Sequence, residues 1–114
     1  MFGLTIRWSL TDAPPDTLDM LSTYVEDVSF TRFAGLEGLR HKTWRARPGE
    51  WFEGTYVFID DATRAAFQAD FEAHVDETAG TRIIGSRPVL IEPCHIVASV
   101  RGPAGFRSAA AFET

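Results

Sequence analysis

Between Gly38 and Asp60 the chain reads GLRHKTWRARPGEWFEGTYVFID, and few folds can accommodate such a stretch. Leu39 to Arg45 and Phe52 to Ile59 are rich in Thr, Val, Ile, Trp, Tyr and Phe, with the turn pair Pro48-Gly49 between them, which predicts a β-hairpin. A tip at Pro48-Gly49 sets Leu39 opposite Phe58, His41 opposite Tyr56 and Thr43 opposite Gly54. Because side chains alternate along a strand, Arg40, Lys42 and Trp44 then share the other face with Val57, Thr55 and Glu53. Pro-Gly favours a type II turn, whose twist fits a two-residue hairpin poorly. A bulge or longer loop is therefore expected, and a slip of one residue would exchange the faces.

The flanking segments supply a scaffold. Phe2 to Leu10 alternates as a strand, with Phe2, Leu4, Ile6 and Trp8 on one face. Thr11 to Pro15 is a loop, because tandem prolines continue neither a ladder nor a helix. Asp16 is a candidate N-cap for a helix whose apolar stripe is Leu18, Leu21, Val25 and Val28, with Tyr24 beside it, fraying near Ser29 to Arg32. Asp60 or Asp61 caps a second helix that carries Thr63, Phe67, Phe71, His74 and Val75 on one face and ends at Gly80. Pro88 to Val100 reads as a long apolar strand, in which Pro93 requires an edge position or a bulge. Residues 102–114 read as a tail after a single domain over 1–101, and Phe106 and Phe112 give that tail something to dock with.

The order strand, helix, strand, strand, helix, strand is that of the ferredoxin-like α+β fold, a four-stranded antiparallel sheet with helices on one face. The second face needs a cover if it carries apolar and aromatic side chains, and at 114 residues only another chain can supply it. A homodimer packed sheet against sheet, burying about 1,500 Å² in total, is the expectation.

Composition narrows the partners. The net charge of −5 comes without a basic run, which argues against nucleic acid. No apolar run approaches the roughly 18 residues of a membrane span. The opening MFGLTIRWSL reads as no export signal, so a cytoplasmic location is expected. A lone cysteine, Cys94, leaves no internal disulfide and no multi-cysteine metal site, and it is expected to pack as a small apolar strand residue. Three histidines at 41, 74 and 95 have no ligand spacing, so no metal is expected.

Gly38-Leu39-Arg40-His41-Lys42-Thr43-Trp44, then Gly54-Thr55-Tyr56-Val57-Phe58-Ile59-Asp60-Asp61 and a helix with Ala66-Phe67, resembles the small monooxygenase-like proteins of the YdhR family in the dimeric α+β barrel superfamily. The shared pattern is Gly-apolar-x-x-Lys-x-Trp followed by Gly-x-Tyr-x-Phe-x-Asp, over about a third of the chain. The resemblance implies a dimer with a closed pocket and, as in some relatives, oxygenation of a small aromatic or polyketide-like substrate with no metal, flavin or haem. The same fold also hosts polyketide cyclases, isomerases and plain binders, so the fold alone does not choose the reaction.

Cofactor-free oxygenation needs an apolar slot, a group that takes a proton and donors that hold the resulting anion. Trp8, Tyr24, Trp44, Tyr56 and Phe58 are candidates for the slot. His41 and His95 are candidate bases, and Arg40, Lys42 and Tyr56 are candidate donors. Lys42 is the only lysine in a chain with ten arginines. An amine titrates and forms Schiff bases where a guanidinium does neither. Each residue also has a plain structural alternative: Lys42 as a solvated or interface residue, Trp44 and Tyr56 as core packing, and the histidines as ordinary strand or helix residues. A non-catalytic dimer that binds an apolar metabolite is the competing expectation.

Overall fold

The computed structural model describes residues 1–106. The strands are β1 (Phe2–Ser9), β2 (Leu39–Arg47), β3 (Trp51–Phe58) and β4 (Leu90–His95). Helix α1 (Thr17–Tyr24) runs through a π turn (Val25–Ser29) into α2 (Phe30–Ala34). After β3 come α3 (Asp61–Ala73), a 3₁₀ turn (Val75–Glu77) and α4 (Ala79–Ile84). The sheet order is β2-β3-β1-β4, antiparallel throughout, and this is the expected ferredoxin-like α+β arrangement. No helix among the described residues is long and apolar enough to cross a membrane.

The alternation in β1 is realised: Leu4, Ile6 and Trp8 are buried beneath the helices with Phe52, Tyr56 and Phe58 of β3. Asp60 caps α3 by accepting a 2.7 Å bond from the Thr63 backbone N–H, which satisfies one of the orphan donors of the first turn. Asp16 stands at the N-cap position of α1 without a side-chain capping bond. Pro93 is accommodated because β4 is an edge strand.

The hairpin departs from the expected register. Leu39 pairs with Phe58 as expected, but the register then shifts by one between Leu39 and His41, so that Lys42 faces Tyr56, Thr43 faces Thr55 and Trp44 faces Gly54. The tip is the three-residue loop Pro48–Glu50, with Gly49 at φ +76° and the Glu50 N–H bonded to the Arg47 carbonyl at 3.0 Å. A three-residue loop with a left-handed glycine suits the strand twist better than the two-residue tip would. The slip exchanges the faces. Lys42, Trp44 and Ala46 share the helix-covered side with Tyr56, Gly54 and Phe52, whereas His41, Thr43 and Arg45 lie on the open side with Val57, Thr55 and Glu53.

The open face therefore carries fewer apolar and aromatic groups than expected, because most of the large rings lie under the helices. At its centre Glu53 is fully buried, accepting from Arg7 Nε at 2.8 Å and also from Arg45 Nε. Trp51 lies beneath both guanidinium groups. Burial by itself pushes the Glu53 carboxyl up, but the two arginine hydrogen bonds outweigh it and hold the group below the ordinary carboxylate range.

Three further expectations are corrected. Gly80 does not end the second helical segment; it lies inside α4, where a Cβ would stand 2.8 Å from Trp8 Cζ2, and Gly85 at φ +88° ends that helix instead. The last strand stops at His95, and Val97 and Val100 are 98% and 92% exposed. Cys94 is exposed on the β4 edge rather than packed as an apolar residue.

Candidate functional site

A cavity of about 330 Å³ opens between the helices and the sheet, with Trp8, Phe33, Lys42, Trp44, Tyr56 and Phe71 among its walls. This is within the size range of small-molecule sites. A groove of about 610 Å³ follows the outer edge of β2 against α1 and α2, and Val25, Phe33, Lys42, Trp44 and Phe52 are common to both.

The π turn helps to place the central ring. Two α-helical turns beyond Val25 the inward position would be Arg32, but the wider turn adds about one residue and brings Phe33 there. Val25 and Phe33 are both buried, Val28 is exposed, and helix continues to Ala34 rather than fraying near Ser29. Phe33 then meets Trp44, Tyr56 and Phe67 at ring-centre distances of 5.8, 5.8 and 6.1 Å.

Lys42 extends into this group of rings. Its Nζ lies 3.4 Å from the centre of Phe33, 4.3 Å from Tyr56 and 4.5 Å from Trp44. No ion pair among the described residues includes Lys42. Burial away from water, reinforced by the nearby Arg32 guanidinium, lowers its pKa well below the ordinary lysine value. The ring faces oppose this by favouring a cation, each by about 0.5–2 kcal/mol. Losing hydration costs an unpaired charge several kcal/mol, so burial prevails. Burial likewise raises the pKa of the Tyr56 phenol, so it stays a hydrogen-bond donor.

Gly54 makes room for the pair. A Cβ at this position would stand 3.2 Å from Lys42 Cε and 3.2 Å from Tyr56 Oη. The absence of that carbon lets the amine arm and the phenol lie over the strand side by side.

Of the residues singled out in the sequence, Trp8, Tyr24, Lys42, Trp44 and Tyr56 line the cavity. Trp8 also spends its indole N–H on Thr81 Oγ1 at 3.2 Å, which fixes it as a wall. His41 and Arg40 lie on the groove instead, with Arg40 exposed at the bulge and His41 5.2 Å ring to ring from Phe106. His41 therefore shares the groove with Lys42 and Trp44 but does not line the cavity where Trp44 meets Tyr56. His95 is exposed on the far edge strand beside Phe2, and Phe58 lies fully buried within the sheet-helix core; neither lines this cavity or the groove. Phe106 of the tail reaches the groove, whereas Phe112 lies outside the described residues. Sequence reasoning missed Phe33 and Gly54, and only the π turn and the shifted register bring them to the site. His74 sits on the rim, its pKa raised by a hydrogen bond to the Asp70 carbonyl and by the Asp70 carboxylate. No group of three His, Cys, Asp or Glu among the described residues is placed to hold a metal ion.

The fold and the cavity define a ferredoxin-like α+β domain with an aromatic pocket under its helices. No family model matches the chain, and no curated protein matches it either. Among solved structures it is similar to NE2512, a protein of unknown function from Nitrosomonas europaea, with a TM-score of 0.60 at 22% identity, covering 91% of this chain and 95% of that one. A likeness at this identity speaks for the fold alone.

Proposed function

We propose that this protein is a cofactor-independent monooxygenase that takes a small aromatic or polyketide-like phenol into the cavity between helices and sheet. The observation that carries the reading is Lys42, an amine with no carboxylate partner among the described residues, held among three aromatic rings on the cavity wall. A neutral amine there can remove the phenolic proton, and the resulting ammonium faces the phenolate with Arg32 at the rim. Tyr56 offers a second donor to the same oxygen. The electron-rich ring then gives four electrons to O2 directly: one oxygen atom enters the product, which leaves as a quinone, and the other leaves as water with the two hydrogens that the phenol has lost. Kinship with the YdhR-type proteins and a cytoplasmic location belong to the same reading.

Self-association is part of the proposal. The open sheet face, with Trp51, Val57 and Leu90 around the Arg7–Glu53–Arg45 cluster, and the outlying Val97 and Val100 are supports for a sheet-to-sheet homodimer.

Oxygen uptake with a panel of hydroquinones and naphthols tests the reading. Uptake above the no-protein rate, lost in Lys42→Met, supports it; uptake equal to the no-protein control removes it. The same base and donor also serve enol chemistry without oxygen. Conversion of a β-diketone that proceeds equally under nitrogen would instead favour a cyclase or isomerase.

A further inference from the structure

Lys42 has a property that proton transfer alone does not use. A guanidinium would serve better to hold an anion, and this chain uses arginine at every other basic position, including Arg32 on the same cavity. At the one place where a side chain runs among Phe33, Trp44 and Tyr56, the chain carries a primary amine.

We infer that Lys42 is a nucleophile that forms a reversible imine with an aromatic aldehyde or ketone seated in the cavity. The inference rests on the reading that the cavity takes an aromatic ligand, and adds a covalent step to it. The geometry provides the parts. The apolar walls suit an aromatic body, and Nζ lies within the ring cluster rather than in an ion pair. The Tyr56 phenol shares the Gly54 notch, within reach of the same arm. The Nζ lone pair attacks the carbonyl carbon, a C–N bond forms, and the carbonyl electron pair moves to oxygen, which takes a proton supplied through Tyr56. The nitrogen then loses its protons, the hydroxyl leaves as water and the C=N bond closes. The phenol is reprotonated from the amine, and no oxidant or reductant is consumed. The lowered basicity that burial imposes frees the lone pair at a lower pH than in an ordinary lysine.

Trapping is unambiguous because the chain has one lysine, and only the Met1 α-amine competes. The 114-residue chain is incubated at neutral pH with 2-naphthaldehyde and sodium cyanoborohydride, digested, and analysed by mass spectrometry. The expected product is a secondary amine on the Lys42 peptide, heavier by the aldehyde less one oxygen atom. It should form roughly tenfold faster than on an unfolded lysine peptide, as a lowered pKa frees the amine. Excess 2-naphthol, which fills the cavity without a carbonyl, should suppress it. Lys42→Arg should show no adduct beyond Met1 while keeping the native circular-dichroism spectrum. Adduct confined to Met1, or Lys42 labelling no faster than the peptide and indifferent to naphthol, overturns the inference. Oxygen uptake without trapping removes the covalent step and leaves Lys42 as a base. Trapping without oxygen uptake retains the imine and removes the oxygenase.

Discussion

Lys42 Nζ sits 3.4 Å from the centre of the Phe33 ring, although the two residues reach that point from opposite layers of the fold. The β-bulge beside Arg40 turns Lys42 toward the helices, and the π turn helps to bring Phe33 down onto the sheet. Two local irregularities, each amounting to one residue, thus converge on one contact. Irregularities of both kinds are frequent at functional sites.

The contact carries a stability cost that depends on pH. The folded protein holds Lys42 with a lowered pKa, so between that value and the ordinary 10.5 the unfolded chain binds more protons. Stability from this group therefore rises with pH across the window, and the penalty is complete below the folded pKa. Lys42→Met should raise the melting temperature at pH 7, with the advantage shrinking as pH approaches 10.5. Thermal melts of both proteins across pH check this; an equal gap at every pH would contradict it.

Gly54→Ala should disturb the site more than the fold. Its Cβ would press on Lys42 Cε and Tyr56 Oη at 3.2 Å, and overpacking of this kind costs about 1–3 kcal/mol where the neighbours cannot yield. Both neighbours end in the cavity and can move into it, so the loss should lie near the lower figure. Ligand affinity should fall by at least about tenfold, which corresponds to 1.4 kcal/mol. Denaturant melts and naphthol titration separate the two effects.

Glu53 should matter for stability on the acid side. Its depressed carboxyl stabilises the fold above the ordinary value of 4.5, and the contribution is lost as pH falls through the folded pKa. Glu53→Gln breaks the charge-assisted bonds, yet Arg7 and Arg45 keep 32% and 58% of their side chains exposed and regain water. The expected loss is about 1.5–3 kcal/mol at pH 7, the range for hydrogen bonds to charged groups. The difference from wild type should narrow in urea melts below pH 4.5.

Gly80→Val should be the most damaging of these changes. Even the first added carbon would meet the Trp8 indole at 2.8 Å, and Trp8 is pinned by its bond to Thr81. Rigid overpacking predicts about 3 kcal/mol or more, read as a lowered midpoint in chemical denaturation. Gly80→Ala should cost less, because Ala is the better helix former by up to about 1 kcal/mol.

The ferredoxin-like order, the inward face of β1 and the cap at Asp60 were legible in the amino-acid sequence. Each follows from alternation, helical spacing or a side chain bonding its own backbone, and these operate over a few residues. The lone lysine and the rings near it in the hairpin were legible for the same reason. The side of the sheet to which they point was not. A period of two makes each face depend on the parity of the register, and that parity was settled by a three-residue tip and a bulge that turn Trp44 and Lys42, both half-buried, to the helix-covered side. Phe33, Gly54 and Gly80 acquired their roles only when distant segments met: a π turn against the sheet, a notch beneath an amine and a gap for an indole. Local chemistry chose the elements, and close packing between them chose the phase, because a buried ring admits no half-residue compromise.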